Sequence, residues 1–117
     1  MSITLYHYTD TDGRQGIQSS GRIKMSDRSN DMRYGKGVYF TSIPPSVPKQ
    51  LIAANNYDGR SNAAANRMMN AGRVDNYVAV QFNANDPNLK QAPSDRNVFL
   101  YKKDINLHQF HHNFGEA

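Results

Sequence analysis

Arg33-Tyr34-Gly35-Lys36-Gly37-Val38-Tyr39-Phe40-Thr41 is a Gly-x-Gly turn that runs directly into a short apolar strand carrying an aromatic side chain. Two glycines around one lysine let backbone approach a ligand closely and permit conformations with φ > 0. The strand then delivers Tyr39 to a defined place. A second stretch answers it. Ile3-Thr4-Leu5-Tyr6-His7-Tyr8-Thr9 alternates as a strand and ends by presenting His7 and Thr9 in the same direction. The two stretches together point to a nucleotide site.

Working outward, residues 2–8 read as the first strand. Asp10 or Thr11 caps a short helix over about 12–20, with Ile17 as its buried anchor and Gly21 at the left-handed position that closes it. Residues 22–25 read as a short strand, 26–34 as a polar loop and 38–42 as a strand. Pro44, Pro45 and Pro48 punctuate the next stretch, with Ser46 as the N-cap of a helix over 48–57 that carries Leu51, Ile52 and Tyr57. Residues 60–73 read as a short helix between two glycines, with a mobile insertion as the alternative. Asn76 to Phe82 alternates clearly as a strand. Asn83 to Arg96, with its prolines and short polar residues, reads as a long loop of the kind that is functional or disordered. Val98 to Tyr101 is a strand, Ile105 and Leu107 form a last one, and an aromatic, His-rich tail comes after it. The order of elements argues for an α+β fold rather than a regular βαβ alternation.

A chain of 117 residues makes a single domain, residues 1–117, with little room for two cores. There is no cysteine, which excludes disulfides and thiolate metal sites. The net charge of +4, from 14 Lys and Arg against 10 Asp and Glu, is a mild preference for anions: a nucleotide, a nucleic acid or an acidic protein surface. No segment approaches the roughly 18 apolar residues of a membrane span, and no signal peptide is visible. The expectation is a soluble domain, secreted or delivered as part of a longer polypeptide. The only glutamate is Glu116, so a mechanism that needs a glutamate in the middle of the domain cannot run here.

His7 and Thr9 offer a neutral imidazole and a hydroxyl that suit ribose hydroxyls; the plainer alternative is a histidine satisfied within the sheet. Tyr39 can stack on a planar heterocycle or can be a core tyrosine. Tyr57 can supply a second stacking face, and Ser46 can bond an amide or a ribose. Asp95-Arg96-Asn97, before the Val98 strand, can hold or polarise a ribose hydroxyl, or can be a turn signal. His108 and His112 are four apart, a helical ligand spacing, yet no carboxylate is suitably placed, and the tail reads as solvated rather than metal-binding.

Taken with these motifs, the chain resembles the ADP-ribosyltransferase superfamily, in the branch shared by diphtheria-type toxins and poly-ADP-ribose polymerases. The residues that carry the resemblance are Leu5-Tyr6-His7-Tyr8-Thr9, Ile17 and Gly21, Gly35-Lys36-Gly37-Val38-Tyr39-Phe40, and the later Asn97-Val98-Phe99-Leu100-Tyr101. It is most similar to small domains with a His-Tyr-Asp signature found at the ends of bacterial polymorphic toxins. The resemblance implies a split, strongly bent pair of β-sheets with a few short helices and with NAD⁺ between the sheets. It implies that His7 binds the adenosine ribose, Thr9 helps seat the dinucleotide and the Tyr8 backbone holds the carboxamide. Gly37 would flank the pocket, Tyr39 would stack on nicotinamide, and Tyr57 and Ser46 are looser matches. The family places Asp or Glu where this chain has Asn97. An asparagine supplies no negative charge, and losing one such stabiliser is worth about 3–4 kcal/mol of barrier. Asp95 taking the role, an inactivated variant, and a weak enzyme or binder all remain open.

The implied activity is transfer of ADP-ribose from NAD⁺ to a macromolecule, more readily a protein than a nucleic acid, with catalytic roles for His7, Tyr39, Asn97 and Asp95 and no metal. A toxin of this kind implies a cognate immunity protein. NAD⁺ hydrolysis and a non-catalytic NAD⁺- or ADP-ribose-binding module are the alternatives. An RNA-binding domain is a further one, weakened by the lack of a basic stripe with interleaved aromatics.

Overall fold

A computed structural model describes residues 1–25, 36–56, 62–92 and 97–117. The architecture is the expected α+β arrangement, built on antiparallel sheets that do not close into a barrel. The first sheet has the order β1-β4-β8, from β1 (Ser2–Thr9), β4 (Asn76–Asn83) and β8 (His112–Glu116). The second has the order β3-β6-β5, from β3 (Val38–Phe40), β5 (Leu89–Gln91) and β6 (Phe99–Tyr101). A small ladder pairs β2 (Arg22–Ile23) with β7 (Ile105–Asn106). The helices are α1 (Thr11–Ser20), α2 (Lys49–Asn56) and α3 (Asn62–Asn70). None of them is long and apolar enough to cross a membrane.

Alternation along β1 divides the core into two clusters, one on each face. Leu5, with partly buried Ile3, faces a cluster made with Ile23, Val38, Phe40, Val78, Val80, Phe82, Tyr101, Ile105 and Leu107. Tyr8, with partly buried Tyr6, faces a smaller cluster under α2 and α3 that holds Ile52, Ala53, Ala65 and Val74. Both sides of β1 are therefore committed, and a one-residue slip against β4 would exchange them. Phe82 is the hub of the larger cluster, with ring centroids 5.1 Å from Phe40 and 5.2 Å from both Tyr101 and Phe110.

Local chemistry sets the ends of α1. Asp10 caps it, its Oδ1 accepting from the Gly13 N–H at 2.7 Å. Gly21 closes it at φ +70°, its N–H donating to the Ile17 carbonyl. Ile17 packs against the larger cluster but stays half-exposed, because α1 lies on the surface and buries no residue fully.

Several elements differ from expectation. Ser46 does not cap α2; it sits in the turn that the Val47 N–H closes on the Pro44 carbonyl, and the helix starts after Pro48. Leu51 points outward at 59% exposure while Ile52 is buried. The stretch 83–96 contains β5, which adds to β6 as an edge strand. The residues read as a solvated tail form β8, paired with β4 from Asn76↔Glu116 to Val80↔His112. Neither strand buries a residue on either face, so neither shows the apolar alternation by which a sequence reveals a strand.

Candidate functional site

The site is built where β1 and β3 part. Tyr6 and Thr41 form an isolated antiparallel bridge, the Tyr6 N–H donating to the Thr41 carbonyl at 2.7 Å and the Thr41 N–H to the Tyr6 carbonyl at 2.9 Å. Backbone groups alternate sides along a strand, so the peptide of Tyr8 turns toward β3 like that of Tyr6, and the peptide of Tyr39 turns toward β1 like that of Thr41. A continued ladder would pair Tyr8 with Tyr39. The bridge is not continued. The Tyr39 carbonyl instead accepts from the ring of His7, Nδ1 to O at 2.8 Å. A side chain thus spans a gap that a peptide would have closed.

That contact determines the state of His7. A carbonyl oxygen only accepts, so Nδ1 carries the proton and Nε2 of the neutral ring is an acceptor. Burial pushes the imidazole below its ordinary value of 6.5, and the bond to Tyr39 opposes this only in part. The ring also lies edge-on to Phe40, at 5.8 Å between centroids. His7 is a fixed, neutral hydrogen-bonding group at the mouth of the gap.

Tyr8 is anchored by its own hydroxyl, which donates to the Ile43 carbonyl at 2.7 Å. Its ring lies 6.2 Å from Tyr6 and 6.1 Å from Tyr77, and burial, first, then those two phenols push its pKa well up. It stays a neutral donor and ties β1 to the chain that leaves β3. Thr9 sits over the first turn of α1, where a Cβ on Gly13 would overlap its Oγ1. A side chain at position 13 would oblige the Thr9 hydroxyl to turn away.

Asn97 lies just before β6 in a closed set of hydrogen bonds. Its Oδ1 accepts from the Ser42 N–H at 2.9 Å and from the Thr41 hydroxyl at 3.1 Å, and its Nδ2 donates to Ser42 Oγ at 2.6 Å. Its backbone is held from α2: the Asn97 N–H donates to Asn55 Oδ1 at 2.7 Å, and Asn55 Nδ2 donates to the Asn97 carbonyl at 2.9 Å. The Asn55 amide takes the place of a neighbouring strand. Thr41 is buried at 2% exposure and its Oγ1 also accepts from the Ile43 N–H at 3.3 Å. Asn97, Thr41, Ser42 and Asn55 thereby join β6, β3 and α2 beside the Tyr6–Thr41 bridge.

The structure brings His7, Tyr8 and Tyr39 together at one gap, with Asn97 attached to the same end of β3 through Ser42 and Thr41. Gly37 is buried against β6, where a Cβ would come within 2.6 Å of Leu100 Cδ1 and 2.7 Å of the Tyr101 carbonyl. Among the described glycines only Gly21 and Gly72 have positive φ, so Gly37 is there for close packing of two strands. Ser46 is exposed in its turn. Gly35, Tyr57 and Asp95 lie outside the described residues. His108 is on a short 3-10 turn and His112 on β8, so they are not a helical pair. Nothing in the sequence marks Asn55, Thr41 and Ser42 as partners of Asn97. The Asn55 contacts span 42 residues, and the only local hint is its place three residues after buried Ile52 on α2.

A family model described as "HYD1 signature containing ADP-ribosyltransferase" matches residues 5–109 of this chain. That span holds His7, Tyr39 and Asn97 and ends before β8. No curated protein and no solved structure matches the chain.

Proposed function

The chain belongs to the ADP-ribosyltransferases that carry the HYD1 signature, and from that premise we propose that it binds NAD⁺ in the gap between β1 and β3. The observation that carries the reading is the parting of the two strands immediately beyond the Tyr6–Thr41 bridge, with His7 spanning it. Four residues take part in the binding. His7 Nε2 accepts from a hydroxyl of the adenosine ribose. The Tyr8 peptide, turned toward β3, takes the carboxamide of nicotinamide. The Tyr39 ring stacks on the pyridinium, and Thr9 helps seat the dinucleotide. Ser46, Gly37 and Tyr57 remain candidates for the rest of the pocket wall.

The proposed reaction is glycosyl transfer. The bond between C1′ of the ribose and the pyridinium nitrogen breaks, nicotinamide leaves with the electron pair, and a nucleophile of the acceptor bonds C1′ and loses its proton. Water in the acceptor's place makes it NAD⁺ hydrolysis. The preferred acceptor is a protein, and a cognate immunity protein belongs to the same proposal. Holding the two halves of the dinucleotide in one geometry is the main contribution of His7, Tyr8 and Tyr39. Asn97 contributes a dipole and no charge, and an absent electrostatic stabiliser is worth roughly 3–4 kcal/mol of barrier.

The hydrogen bonding of Asn97 also favours a second reading, a weak enzyme or a binding module. Both polar atoms of its amide already have partners. Nicotinamide release from NAD⁺ separates the readings, measured for the parent chain, Asn97→Asp and Asp95→Ala. Parent turnover that disappears in Asp95→Ala assigns the charge to Asp95. Turnover only in Asn97→Asp identifies a pocket lacking its carboxylate. Silence in all three with NAD⁺ bound supports the module, and silence without binding overturns both readings.

A further inference from the structure

The amide of Asn97 has a determined orientation. The Ser42 backbone N–H only donates, so the atom it meets at 2.9 Å is oxygen, and the atom facing Ser42 Oγ at 2.6 Å is the amide nitrogen. The same logic orients Asn55, because the Asn97 N–H must meet its oxygen at 2.7 Å. From these two amides the chain of donors runs in one direction. Asn55 Nδ2 donates to Thr41 Oγ1 at 3.3 Å, the Thr41 hydroxyl donates to Asn97 Oδ1 at 3.1 Å, and Asn97 Nδ2 donates to Ser42 Oγ. Ser42 ends the chain as an acceptor. Its own proton has no acceptor among the described residues. Linked hydrogen bonds polarise one another, which makes that terminal hydroxyl a better donor.

We propose that Ser42 is a ligand-binding residue whose hydroxyl proton, turned outward by Asn97, donates to a ribose oxygen of the bound dinucleotide. The ligand named rests on the reading of the gap as an NAD⁺ site. Placement supports it. Ser42 is half-exposed, follows directly on Thr41 of the bridge that bounds the gap, and is bonded to Asn97 through both its N–H and its Oγ. His7 offers an acceptor and Ser42 a donor, a complementary pair for ribose hydroxyls. An aspartate at position 97 would reverse Ser42. Its carboxylate accepts only, so the Ser42 proton would turn inward to it and Ser42 would offer lone pairs to the ligand. The residue at 97 thus sets the hydrogen-bonding sense of its neighbour as well as the charge of the site.

The test is binding of ADP-ribose, which lacks the bond that breaks, by calorimetry to four chains: the parent, Ser42→Ala, Asn97→Asp and the double variant. Ser42→Thr serves as the conservative rescue. The expected result is a roughly three- to tenfold loss for Ser42→Ala in the parent background, the span of one neutral hydrogen bond. In the Asn97→Asp background the same change costs less than twofold, and Ser42→Thr retains affinity. A merely structural serine would cost the same in both backgrounds, and that result, or no loss in the parent, overturns the proposal. If the parent binds neither ADP-ribose nor NAD⁺, the NAD⁺ reading fails and the proposed ligand fails with it. The outward donor is then decided by neutron diffraction, where a deuteron on Ser42 Oγ lying toward Asn97 overturns that part as well.

Discussion

Replacing Asn55 with alanine removes the two bonds that hold the backbone of Asn97, at 2.7 and 2.9 Å, and the 3.3 Å bond to buried Thr41 Oγ1. The magnitude comes from the groups left behind. The N–H and C=O of Asn97 lose partners at a half-buried site, where water reaches only one side. Orphaning a fully buried group costs about 1–3 kcal/mol, so two half-buried ones cost about 2–3 kcal/mol together. Thr41 keeps Asn97 Oδ1 and the Ile43 N–H and adds little. At roughly 4 °C per kcal/mol for a domain of this size, the melting midpoint falls by about 8–12 °C. Urea titration at neutral pH reads the free energy directly, with exposed Gln50→Ala on the same helix as the control. A loss below about 0.5 kcal/mol, the ordinary scatter of surface changes, would refute the view that Asn55 acts as a surrogate strand for Asn97.

Two glycine changes have opposite signs. Gly37→Ala drives a Cβ into Leu100 Cδ1 and the Tyr101 carbonyl, and because one of these is backbone it costs about 1–3 kcal/mol by overpacking. Gly16→Ala meets nothing within 4 Å on α1 and adds about 0.5–1 kcal/mol; equal effects in denaturant melts would contradict the packing at β3 and β6. His7 makes stability depend on pH. Its native pKa lies below the unfolded 6.5, so on acidification the unfolded chain takes up the proton first. This contribution is fully present above about 6.5 and is lost as pH falls through the window between that value and the lowered native one. Melts at about pH 5 and about pH 8 show the difference, which shrinks in His7→Gln; an unchanged difference would place the dependence elsewhere. Tyr8→Phe removes the donor to the Ile43 carbonyl and is expected to cost about 1 kcal/mol, read by the same melts.

How much the sequence revealed depends on the reach of each interaction. Asp10 and Gly21 mark the ends of α1 because a cap is made by neighbours in sequence. β1 and β4 declare themselves by alternation, since a paired strand with committed faces must alternate. β5 and β8 do not, because neither buries a residue on either face, whereas β1, also at a sheet edge, commits both of its faces. Leu51 and Ile52 are equally apolar in the sequence, yet a helix on the surface buries only one of two adjacent residues. His7 and Tyr39 stand out separately in the sequence, and their direct bond spans 32 residues, a contact that only the fold creates. Asn97 is visible as a departure from a pattern. The groups that hold it are not, because Asn55, Thr41 and Ser42 reach it from 42 to 56 residues away.

The most direct measurement is a titration of the ¹⁵N-labelled chain with NAD⁺, tracked by amide and imidazole resonances. The parting of β1 and β3 predicts that the Tyr8 amide, the His7 ring and Ser42 shift together, along one binding curve. It also predicts that Tyr39→Ala weakens the titration while the far end of β1, at Ile3 and Thr4, stays still. Shifts confined to the groove between α1 and β8 around Gly21, His108 and Phe114, or no shifts at all, would contradict a dinucleotide site between these strands.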